Sequence, residues 1–153
     1  MPRPRYVVAL FGLAPIAVAG CNTLLGSDVR DEPAVIIFHG DTTAIEAPSL
    51  TPTGTSFVVT VQTFGGGCTR EVARTDVGTT VPGVVDIYPV NRTRMPREAN
   101  EGCADDLLEL RHSATVHAST PGPLVLRVHG VQRGGVTGST TGAAVVERTV
   151  MVQ

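Results

Sequence analysis

The residues of this chain that could do chemistry are three cysteines, four histidines, a set of arginines and a few neighbouring acids. Cys68 and Cys103 could form a disulfide, hold a metal or include a reactive thiol. Metal binding lacks support from spacing, since no CxxC or matching His pattern accompanies them. Cys68 lies beside Gly65-Gly66-Gly67 with no paired base, which argues against a catalytic thiol. His39, His112, His117 and His129 are scattered, and a metal site needs imidazoles that converge. Ser, His and Asp all occur, but the nearest approach to a nucleophile elbow, Gly138-Ser-Thr-Thr-Gly142, has the wrong spacing. Asp105 and Asp106 would point to opposite faces of a strand, or would compensate the dipole at a helix start. The triple glycine is followed by no Lys, so it is no phosphate loop and fits a bulge or a close backbone approach instead. No catalytic residue, metal ligand or cofactor follows from these patterns.

Cys21 stands apart. Arg3 and Arg5 precede an apolar run from Val7 to Ala19, which ends at Val18-Ala19-Gly20-Cys21. A basic start, an apolar middle and small residues at the end make a secretory signal. The run is too short for a bilayer, which needs about 20 apolar residues as a helix. With Cys directly after the small residues, the segment resembles the lipobox of bacterial lipoproteins. That resemblance covers residues 1–22 and implies cleavage before Cys21, lipidation of its thiol and attachment to a membrane through acyl chains. Asn22, where the family's retention signal has Asp, implies the outer membrane rather than the inner. Export also bears on the other two cysteines, because an even pair in an oxidising compartment is most simply a disulfide. A Cys68–Cys103 bridge would close about 35 residues and stabilise by roughly 3.5–4 kcal/mol in the chain-entropy model.

Three segments follow: a signal peptide at 1–20, a flexible tether at 21–33 and one domain at 34–153, large enough for a real core. Loss of Arg3 and Arg5 would leave ten Arg against fourteen acids, a net charge of −4 with no Lys. Such a domain has no basic surplus for nucleic acid. Its expected partners are the membrane, through the lipid anchor, and another protein of the envelope. Sugar binding is disfavoured because Tyr88 is the one Tyr after residue 21 and there is no Trp.

The elements that must position these residues are strands. Seven β-rich runs, at 35–38, 57–64, 69–77, 84–88, 107–117, 124–131 and 144–152, are separated by turn residues. The fragment 105–110 could add one helical turn. This layout resembles immunoglobulin-like domains of bacterial surface proteins and implies an antiparallel β-sandwich of about seven strands. Leu108, Leu110, Ala114 and Val116 share a parity with Leu124, Leu126 and Val128. A five-residue hairpin loop at 119–123 would pair Val116 with Leu126 and Ala114 with Val128. Parity also puts His112 on the core face and turns His117 and His129 outward. Residues 89–102 read as a long loop, pinned by Cys103, in which Arg92, Arg94 and Arg97 form the candidate binding set. The alternative is an exported enzyme or metal-binding protein. Asn91-Arg92-Thr93 matches the N-glycosylation pattern, to which a bacterial origin gives little weight.

Overall fold

Alternating β-branched and polar residues shape the whole molecule. A computed structural model describes residues 28–95, 102–134 and 140–153, and all its regular elements there are strands. In chain order they are β1 (Val29–Pro33), β2 (Val35–Phe38), β3 (Asp41–Thr42), β4 (Ile45–Glu46), β5 (Leu50–Thr51), β6 (Thr55–Gly67), β7 (Thr69–Val81), β8 (Val84–Arg94), β9 (Ala104–Ala118), β10 (Gly122–Arg133) and β11 (Thr140–Val152). The chain is all-β, as expected. The sheet closes on itself, because the hydrogen-bonded path β8–β7–β6–β2–β10 returns to β8. The count exceeds seven because two-residue strands such as β3 and β4 dock on longer ones, and because β1 is added.

The longest ladder is β6 against β9. Phe57, Val59, Val61 and Thr63 face inward, opposite Val116, Ala114, His112 and Leu110. Across the core lie Val85 and Ile87 of β8, Leu126 and Val128 of β10, and Val150 of β11. Ile36 of β2 completes this cluster. Their burial removes apolar surface from water at roughly 25 cal/mol per Å².

Several expectations change. Val116 and Ala114 pair with Phe57 and Val59 of β6, whereas Leu126 and Val128 pair with Arg148 and Val146 of β11. Thus 119–121 joins two strands that do not pair with each other and is no hairpin loop. Parity puts residues on the core face whether strands pair side by side or oppose each other across the core, so it fitted both arrangements. The suggested helical turn at 105–110 is strand, held by β6. Part of the expected tether, Val29–Pro33, is a strand on β8, so the ordered fold begins before residue 34.

Strand β8 also runs further than its apolar start suggested. Its first half pairs in parallel with β10 (Val84 to Ile87), and its second half pairs with β1 (Val90 to Arg94). Pro89 sits where the neighbour changes. It has no N–H to offer a ladder, and its carbonyl accepts from Ala34 N at 2.9 Å. On the other side of β8, the register with β7 shifts three times. Such bulges discourage further strands from adding to an exposed edge.

Candidate functional site

The candidate arginine loop is resolved differently by this geometry. Arg92 and Arg94 belong to β8 and are spent on structure. Arg92 Nε donates to Asp31 of β1 at 3.0 Å, and Arg94 Nη2 donates to Glu71 of β7 at 3.2 Å. Burial of Asn91 and Thr93 on the inner face, and of Val90 on the other, keeps this stretch in the sheet. Arg97 and Cys21 lie outside the described residues. Asn91 is 1% exposed and its Oδ1 lies 2.9 Å from His112 Nε2, so this amide is a core group and not a glycan acceptor.

Cys68 and Cys103 are joined in a disulfide, with Cα atoms 5.0 Å apart. The glycines beside it act as the sequence suggested. The β6–β9 register slips between Gly66 and Gly67, which have φ of 131° and 61°. A Cβ on Gly66 would collide with the Asp106 carbonyl. Arg70 Nη1 donates to both Asp106 oxygens, at 2.7 and 2.9 Å, which holds that carboxyl below the usual range.

The four histidines do not converge. His112 is fully buried, between Asn91 Oδ1 and Thr75 Oγ1, and burial lowers its pKa. His39 follows Phe38 in a tight turn with φ of 50°. His117 is exposed, with Nδ1 3.2 Å from Ser56 Oγ. Among the described residues, no three His, Cys, Asp or Glu side chains are grouped to hold a metal ion.

His129 is different. Its Nε2 lies 2.7 Å from Asp86 Oδ1, and its ring stacks on Tyr88 with centroids 4.6 Å apart. Parallel pairing of β8 with β10 sets Arg127 beside Asp86, which brings His129 next to Tyr88 on the outer face. Asp86 is 2% exposed although it faces outward. Thr80 Oγ1 donates to its other oxygen, and with His129 and Arg127 this holds the carboxyl below its ordinary pKa. An imidazole that donates through Nε2 to a carboxylate keeps its Nδ1 lone pair for another partner.

Beside this stack runs an open groove of about 470 Å³. Pro33, Val131 and Ala143 supply apolar wall, and Arg74 and Asp76 form an ion pair at its side. Tyr88 and Val145, 39% and 48% exposed, extend the apolar surface across β8 and β11. The arrangement offers an aromatic platform, an oriented imidazole and a paired charge rim. No thiol or hydroxyl nucleophile is hydrogen-bonded to His129 among the described residues. The sequence placed Tyr88 at the end of a strand and turned His129 outward. Their juxtaposition escaped it because β8 and β10 are parallel neighbours separated by β9 in the chain.

No protein-family model, curated protein or solved structure matches this chain.

Proposed function

We propose that this chain is a lipid-anchored, non-catalytic β domain of the bacterial cell envelope. It is held through Cys21 to the outer membrane rather than the inner, and it offers the Tyr88–His129 face to another envelope protein. The observation that carries this reading is Val18-Ala19-Gly20-Cys21 at the end of a basic-then-apolar leader. Two or three acyl chains hold a soluble domain at a bilayer without further contacts, at about 0.8 kcal/mol per buried CH₂. The groove and the exposed Tyr88 support protein contact, since aromatic side chains are enriched in such surfaces. Nucleic acid is disfavoured, because acids outnumber arginines and the Arg30, Arg70, Arg74, Arg92, Arg94 and Arg127 side chains are already paired with acids. The immunoglobulin-like sandwich is part of the proposal. It is supported by the β6–β9 ladder facing β8, β10 and β11 across one core.

The enzyme alternative has one observation in its favour, the 3.2 Å approach of Ser56 Oγ to His117 Nδ1. That pair is exposed on the outer face of β6 and β9, and no acid is hydrogen-bonded to the other ring nitrogen of His117 among the described residues. Expression of the full chain and of Cys21→Ser in a bacterium tests the anchor. The unsubstituted chain is expected to incorporate labelled fatty acid and to sediment with membranes. Loss of neither property in Cys21→Ser would overturn the reading.

A further inference from the structure

We infer that Arg133, at the end of β10, forms a binding site for a carboxylate carried on an apolar or aromatic body. Arg133 is half-buried, and its Nε is sealed from solvent with no hydrogen-bond partner. Among the described residues no carboxylate lies within ion-pair distance of it. This contrasts with Arg30, Arg70, Arg74, Arg92, Arg94 and Arg127, each of which has an acid at 3.2 Å or less. A guanidinium is charged at every ordinary pH, and a buried N–H without an acceptor is costly. An acceptor supplied from outside relieves that cost.

The space for it is present. Arg133 lines a cleft of about 300 Å³ with Phe38, Leu107, Asp106 and the glycine run. Phe38 lies opposite Arg133 in the parallel β2–β10 ladder and packs on Phe64, with ring centroids 5.7 Å apart. Leu107 is 57% exposed, and the glycines leave one wall as bare backbone. Asp106 is the acid of this cleft. Its negative charge is met by Arg70, so it does not neutralise Arg133. Because Nε is sealed in this conformation, a carboxylate meets the guanidinium first at its Nη groups. A turn of the side chain then brings Nε and one Nη into the fork that fits two carboxylate oxygens, while Phe38 and Leu107 receive the apolar body. The chemistry is shared by a small aromatic acid and by the free C-terminus of a peptide ending in Phe. This inference does not rest on the lipid anchor.

The test is titration of the full chain in non-ionic detergent, read by amide and Arg Nε–H resonances. The probes are 3-phenylpropionate, acetyl-Ala-Ala-Phe, its C-terminal amide, 3-phenylpropanol and inorganic phosphate. The small acid, the free-carboxyl peptide or both should saturably shift Arg133 Nε–H and the Gly65–Gly67 amides, and which of them binds identifies the source. Arg133→Gln should weaken binding roughly tenfold or more, the scale of one charge-assisted hydrogen bond. Arg133→Lys, which keeps the charge but loses the fork, should recover part of it. Resonances of Tyr88 and His129 report that each variant is folded. Equal binding of the alcohol or the amide, unchanged affinity in Arg133→Gln, or no saturable shift with either acid would overturn the site. Phosphate binding as tightly as the acids would overturn the apolar-body requirement.

Discussion

Asp86 and His112 show how two side chains of ordinary type acquire opposite roles from their surroundings. Asp86 is held ionised by the Thr80 hydroxyl first and by His129 second. Its folded pKa lies below the unfolded value of about 3.9, so its contribution is complete above that pH and is lost as pH falls through the folded pKa. Thr80→Val should raise the Asp86 pKa, as read from its carboxyl carbon chemical shift, and should move acid unfolding to higher pH. His112 is the reverse case in charge, since burial keeps it neutral. The unfolded chain takes up that proton first, near pH 6.5, so stability is complete above this pH and declines below it. Urea unfolding at pH 7.5 and pH 5 should show the decline, and His112→Gln should reduce it. Period-two reading identified His112 as a core residue because the stretch from Leu108 to Val116 alternates cleanly. It could not identify Asn91 as its partner, because Asn91 lay in what read as a loop.

At the scale of elements, β10 packs tightly against β2 and the residue before it. A Cβ on Gly130 would stand 2.5 Å from the Ala34 carbonyl oxygen and 2.7 Å from Ile36 Cγ2. Gly130→Val should therefore force these strands apart and cost about 1–3 kcal/mol, measured by urea unfolding. The disulfide ties the start of β7 to the approach to β9, and Cys68→Ser with Cys103→Ser should lower stability by roughly 3.5–4 kcal/mol. Hydrogen exchange in that double variant should quicken mainly at Thr69 and Ala104. Strands β6, β9, β10 and β11 were legible because each alternates over many residues. The pairings were not. The parallel β8–β10 contact joins segments separated by a whole strand, and the neighbour change at Pro89 depends on β1, whose Val29-Arg-Asp-Glu-Pro33 looks like a polar linker. Its order comes from backbone pairing with β8 and from Asp31 bridging Arg74 and Arg92.

For the whole molecule, the position of β1 sets how the domain is presented. Six residues lie between Cys21 and Asp28, a reach of at most about 25 Å even fully extended. The end bearing Val29, Met95 and the disulfide is thereby kept near the bilayer if Cys21 carries lipid, and the turns at 52–54 and 119–121 point away. A photo-crosslinker at Tyr88 should capture one discrete envelope protein in cells, whereas one at Thr115, on the opposite outer face, should not. Equal capture at both positions would remove the case for the Tyr88–His129 surface. The proposed address rests on the first twenty-two residues alone, because lipidation is dictated by local chemistry. The Tyr88–His129 face is not legible in the sequence, because it exists only when β7, β8, β10 and β11 are assembled. The most direct measurement is mass spectrometry of the amino-terminal peptide of the membrane-bound chain. The account predicts a peptide that begins at Cys21 and carries acyl groups on it. A membrane-bound chain with residues 1–20 still attached, or with an unmodified Cys21 thiol, would contradict it.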